Sequence, residues 1–237
     1  MKIKVSSEYK RLVDLFNKLT GSGSKNLWEI FNDCIEMYAL AFKNIYEIKH
    51  FEENEKRYCN IVSNYTKEEM KIVTEILAVI TEMIEENPFR DLLGNLYMQL
   101  NMGNDSQGQF FTPYSIAKLT AETAFDNKIA DTEIKNKGYV TINEPSAGGG
   151  ANMIAFCELL KKNGYNYQTD CIIVCQELNR LTAMMCYVVL SLMGCQAVIK
   201  IGDTLKKPFT NYIDELAKGS DLWETPLFYA NNCYLKV

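Results

Sequence analysis

Three carboxylates and a glycine-rich turn are spaced as a ligand site requires. The segment Glu144-Pro145-Ser146-Ala147-Gly148-Gly149-Gly150 follows an apolar run at 139 to 143 and precedes a helical pattern that opens at Ala151. Glycines in such a turn let the backbone bend sharply and approach a ligand closely. The helix that follows offers unpaired N–H groups and the positive end of its dipole, which suit a carboxylate or a phosphate. Glu177 follows a second apolar run at 171 to 176, and Asp203 follows a third at 197 to 201. An acid after the second strand accepts hydrogen bonds from both ribose hydroxyls, as the corresponding acid does in dinucleotide folds. An acid after the third can accept from an adenine amino group. Three acids ending three successive strands on one sheet edge point to a nucleoside site.

The identity of the nucleoside follows from the glycines. A dinucleotide turn reads G-x-G-x-x-G. Gly148 and Gly150 supply the first two positions, but the third falls on Met153. The sole histidine, His50, is not placed for proton transfer to a nicotinamide. Glu144 ends the first strand itself, giving E-x-x-x-G-x-G. An acid there can face the ammonium and sulfonium end of S-adenosylmethionine (SAM), directly or through water. This pattern is common in SAM-dependent methyltransferases.

These residues must be positioned by alternating strands and helices. Helical patterns at 112 to 125, 151 to 162 and 181 to 193 interleave with the three apolar runs. Such alternation implies right-handed βαβ units and a parallel sheet. Thr112 is expected to cap the first of these helices, with Pro113 at its first position. Before residue 105 the pattern is helical throughout. Trp28, Phe31, Ile35, Tyr38, Ala39, Phe42 and Ile45 recur at steps of three and four. Thr66 and Glu69 form a capping box before a helix at 70 to 84, and a short helix is expected at 92 to 100. The polar stretch at 101 to 109 has no periodicity. The expected fold class is therefore α/β: an N-terminal helical bundle (1–105) followed by a Rossmann-like methyltransferase domain (106–237) with an incomplete parallel sheet.

Composition narrows the setting. The 237 residues include 47% apolar and 23% charged residues, an ordinary balance for a cored protein. The N-terminus lacks an apolar signal core, and no apolar stretch is long enough to span a membrane. A cytoplasmic location with reduced thiols is therefore the expectation for the eight cysteines. No CxxC pair exists, and no metal site is expected. The net charge is −5, without the basic excess of a protein that grips nucleic acid alone.

Four segments together resemble a known family. GQFFTP (108 to 113), NEPSAGGGANM (143 to 153), QELNRLTAMMCYVVLSLMG (176 to 194) and GDTL (202 to 205) are similar, in order and spacing, to motifs of the N6-adenine DNA methyltransferases. The likeness is greatest to the modification subunit of type I restriction-modification systems, in a truncated or phage-like form. The resemblance implies that Phe111, Thr112 and Pro113 close over the methionine end of SAM, with Gln109 and Phe110 nearby. It implies further that Glu144, Ser146, Gly148 and Gly150 form the first cofactor motif and that Glu177 binds ribose. Leu178 would then pack on the adenine, and Asp203 with Thr204 would serve the adenine edge.

The family's catalytic N-P-P-Y/F is absent as such. The nearest candidate is Asn231-Asn232-Cys233-Tyr234, expected at the end of a fourth strand after the apolar run 227 to 230. In the family the target base is flipped out of the duplex and stacked on the aromatic ring. The Asn side chain and a backbone carbonyl accept from its amine, and catalysis rests on positioning and electrostatics. Asn231 and Tyr234 would carry these roles, without the prolines that lock the backbone. DNA would be the substrate, held with help from a partner specificity chain, in a homo- or hetero-oligomer. The alternative is a catalytically silent SAM-binding protein that acts through partners, as a regulator or an anti-restriction factor.

Overall fold

The structure, a computed structural model, describes residues 9–22, 25–100 and 111–232. Among the described residues five helices come first: α1 (Lys10–Ser22), α2 (Leu27–Lys43), α3 (Phe51–Val62), α4 (Lys67–Glu86) and α5 (Leu92–Gln99). Their ends follow local chemistry. Asn26 with Glu29 opens α2, and Thr66 with Glu69 opens α4, each as a reciprocal capping box. The helical pattern that runs through Ile45 in the sequence stops at Lys43, with Asn44 as the C-cap. The buried Lys43 ammonium donates to the Leu222 carbonyl and lies 4.3 Å from the centre of the Trp223 ring. The chain turns beyond it, leaving Ile45 and Ile48 exposed.

The second part alternates. It runs α6 (Tyr114–Ala124), α7 (Asn127–Lys137), β1 (Val140–Glu144), α8 (Ala151–Lys162), β2 (Cys171–Glu177), α9 (Arg180–Leu192), β3 (Gln196–Ile201), α10 (Tyr212–Ala217), β4 (Leu222–Glu224) and α11 (Pro226–Asn232). The sheet order is β1-β2-β3-β4. β1, β2 and β3 are parallel, with Glu144 opposite Cys175 and Glu177 opposite Ile201. β4 is antiparallel to β3, with Lys200 opposite Leu222 and Val198 opposite Glu224. The molecule is thus mixed α/β, with a helical N-terminal part and a mostly parallel four-stranded sheet. The incomplete parallel sheet expected from sequence is here three parallel strands with one antiparallel strand at the edge.

The pleat divides the sheet into two faces. Val140, Ile142, Cys171, Ile173, Cys175, Ala197 and Ile199 face the main core, which α9 fills with ten buried residues. The same apolar cluster continues through Phe31 and Ile35 of α2 and Phe16 of α1. The core therefore crosses residue 105 without a break. On the other face a smaller cluster of Val198, Leu222 and Phe228 is covered by α10 and α11, while Thr141 and Asn143 of β1 stay exposed. All seven cysteines among the described residues are free thiols. Among the described residues no His/Cys/Asp/Glu group could hold a metal, and no helix is long and apolar enough to cross a membrane.

Candidate cofactor site at the carboxyl rim of the sheet

Parallel strands bring their carboxyl ends to one rim, where ligands of open α/β sheets sit. The turn after β1 is shaped by its glycines. Gly148 and Gly150 hold φ of 52° and 97°, a left-handed conformation that side chains resist. Gly150 caps α8 and faces α9: a Cβ there would lie 3.1 Å from Cys186 Sγ. A Cβ on Gly149 would lie 3.3 Å from the Phe111 ring.

Hydrogen bonds tie the three strand ends into one frame. Glu144 accepts from Ser146 N at 3.0 Å, Ser146 Oγ at 3.2 Å and Asn152 Nδ2 at 2.9 Å. Glu177 accepts from Gly148 N at 2.8 Å and Asn179 N at 2.8 Å. Gly202 N donates to the Glu177 carbonyl at 2.9 Å, which sets Asp203 beside the end of β2. Thr204 Oγ1 donates to the Pro145 carbonyl at 2.6 Å, linking the loop after β3 to the glycine turn. Asp203 accepts from the amides of Leu205 and Lys206 and pairs with Lys206 Nζ at 3.3 Å. Desolvation works to raise the Asp203 pKa, but the Lys206 side chain and these two amides outweigh it and hold it below the usual carboxylate range.

A cavity of about 190 Å³ opens at this rim. Of the residues singled out from sequence, it brings together Phe111, Thr112, Ser146, Gly148 and Glu177. Glu144 stands behind this wall, with its carboxylate engaged by its own loop. Gly150, Pro113, Asp203 and Thr204 support the rim without lining the cavity, and Leu178 is exposed beside it. Thr112 does not cap α6. The cap position belongs to Pro113, with no side-chain bond, so Thr112 is left on the cavity wall. Gln109 and Phe110 lie outside the described residues.

Sequence reasoning missed Asn152 and Thr182, which both line the cavity from the first turns of α8 and α9. Asn152 Oδ1 is buried and has no hydrogen-bond partner among the described residues. Its position in the first turn of the helix behind the glycines was the available signal. Phe111 is wedged between the glycine turn and Tyr97 of α5, ring to ring at 5.4 Å and 82°.

The catalytic candidate is located differently from expectation. Residues 226 to 232 form α11, so Asn231 is helical and does not end a strand. β4 runs back toward the amino ends of its neighbours, and Thr225 bonds Ala197 and the Cys195 carbonyl there. α11 therefore starts at the rim opposite the cavity. The helix forms because Pro226 sits at its first position and Phe228 buries against Val198 and Leu222. Cys233 and Tyr234 lie outside the described residues.

Residues 89–222 match the family described as N-6 DNA Methylase. No curated protein matches the chain.

Proposed function

The chain belongs to the N-6 DNA methylase family, and on that premise we propose that it is a SAM-dependent methyltransferase for adenine N6 in DNA, or the corresponding subunit of a restriction-modification system. One observation carries the cofactor half of this reading: the cavity where the Glu177 carboxylate, the glycine turn and Asn152 meet.

The residues present suit a sulfonium nucleoside. Each Glu177 oxygen takes one backbone amide and keeps a lone pair for a ribose hydroxyl. The orphaned Asn152 Oδ1 costs about 1–3 kcal/mol until a donor such as an α-ammonium reaches it. Its own amide is held by Glu144, so that carboxylate acts on a ligand through Asn152. Phe111 and Thr112 close the cavity, with Pro113 fixing their entry into α6. Asp203 and Leu178 stand at the outer rim, where an adenine edge and face would come, with Thr204 bracing that loop. When bound, the cofactor supplies an electrophilic methyl group on sulfur. The chain's residues bind and orient it and exclude water from its charged end. DNA would be held with a partner specificity chain, since a net charge of −5 gives no general attraction to phosphates.

A second reading, a catalytically silent SAM binder acting through partners, is favoured by the place of Asn231 in α11. Calorimetric titration with SAM tests the shared part, and labelled methyl transfer to adenine-containing DNA separates the two. Asp203→Ala should weaken SAM binding by roughly 1–3 kcal/mol, and Asn231→Ala should leave it unchanged. SAM binding without transfer, alone or with a partner chain, selects the silent reading.

A further inference from the structure

We infer that Glu158 and Tyr114 form a latch that positions the Phe111–Thr112 wall of the cofactor cavity, making Glu158 a positioning residue for cofactor retention. The inference rests on the SAM reading of that cavity.

Four observations lead to it. First, Phe111 and Thr112 line the cavity, and three residues after Phe111 the chain enters α6 at Tyr114. Second, α6 opens on Pro113 without any side-chain cap, so its first turn lacks the usual local anchor. Third, α6 packs on α8 through small residues, Ala117 and Ala121 against Ala151 and Ala155. Such a contact brings the backbones close but does little to fix sliding along the helix axis. Fourth, a single carboxylate on α8 supplies that missing constraint. Glu158 accepts from Tyr114 Oη at 2.9 Å and from Lys118 Nζ at 3.0 Å, both on α6, and from Lys162 Nζ at 2.8 Å on its own helix. The Lys118 ammonium also lies 4.9 Å from the centre of the Tyr114 ring.

The arrangement ties the two cavity walls to each other. α8 carries the glycine turn at its amino end, and α6 carries Phe111 and Thr112 just before its own. Desolvation of Glu158 opposes its charge, but the three donors outweigh it and keep the carboxyl below its usual range. The latch therefore stays charged at neutral pH. A displacement of α6 along α8 shifts Phe111 away from Gly149, where a Cβ would lie 3.3 Å from its ring.

The test measures SAM affinity and dissociation rate for the intact chain, Tyr114→Phe, Glu158→Gln and Lys162→Ala. Each variant is checked for folding by circular dichroism and thermal melting. Tyr114→Phe keeps the ring and loses only the hydroxyl; it should bind SAM about tenfold more weakly, with faster release. Glu158→Gln keeps an acceptor for the hydroxyl and should show a smaller loss. Lys162→Ala removes a donor that does not reach α6 and should match the parent. If Tyr114→Phe and Glu158→Gln lower the melting temperature but keep the parent's affinity and release rate, the latch is only structural and the inference is overturned. Equal losses in all three variants overturn it as well, because then α8 alone is responsible. A parent chain that binds no SAM removes the cofactor reading itself, a result distinct from either of these.

Discussion

The backbone N–H of Gly148 donates to Glu177 Oε2 at 2.8 Å, joining the turn after β1 to the end of β2. The bond makes one carboxylate serve both the shape of the turn and the wall of the cavity. Glu177→Ala would leave the Gly148 and Asn179 amides without this acceptor. The expected result is a stability loss of about 1–3 kcal/mol in denaturant titration, together with at least tenfold weaker SAM binding. Unchanged affinity in a folded variant would remove Glu177 from the cofactor site.

Gly150 combines a left-handed backbone with a close approach to Cys186. Gly150→Ala therefore suffers both strain and overlap, and should cost roughly 2–4 kcal/mol. Gly164 has a similar φ of 86° but open space around it, so Gly164→Ala should cost only about 1 kcal/mol. Urea midpoints for the two variants measure the difference.

Asp91 gives a pH signature. It caps α5 by accepting from Gly94 N at 3.0 Å, and it is 4% exposed. Desolvation pushes its pKa up to about 6, against the lowering effect of the Gly94 bond. The folded state therefore holds its proton more tightly than the unfolded chain. Stability contributed by the neutral form is fully present below about pH 4 and is lost as the pH rises through about 6. Asp91→Asn keeps a capping oxygen without the charge. It should raise stability at pH 7.5 by on the order of 2 kcal/mol, with the gain vanishing near pH 4. A pH-independent difference in thermal melts would show that Asp91 does not titrate in this range.

Under α10 the Lys200 ammonium meets Glu215 at 2.6 Å, with both side chains almost fully shielded from solvent. Glu215 also accepts from Ser220 and Thr210, and these partners outweigh its desolvation to hold its pKa well below normal. Lys200→Met removes the buried ammonium and leaves the carboxylate with Lys218 at 3.3 Å and its hydroxyl partners, and should cost about 3 kcal/mol. Pairing it with Glu215→Leu should recover much of that loss. A double variant no more stable than the single one in guanidinium titration would contradict this account.

Much of the geometry of the candidate site was legible because its positions are local. Glu144, Glu177 and Asp203 each end or follow an apolar run, and parallel pairing alone carries such ends to a common rim. Thr66 and Glu69 announce α4 by a bond pattern that spans three residues. What failed depends on distant partners. β4 is three residues long, and its direction is set by Thr225 bonding Ala197 and by the Leu222 carbonyl receiving Lys43. The run at 227 to 230 suggests a strand by its apolar content, yet only Phe228 is buried in it. Asn152 was passed over because a lone amide acquires meaning only once Glu144 is seen to hold its Nδ2.

The unbroken apolar cluster from α1 to β3 has a thermodynamic consequence. The chain's two tryptophans sample its two halves: Trp28 is half-exposed on α2, and Trp223 is buried in β4. Helices and sheet that share one interior melt as a single cooperative unit. Fluorescence from either indole, recorded after replacing the other by phenylalanine, should therefore trace the same transition. A ligand bound at the far rim should shift both curves by an equal amount.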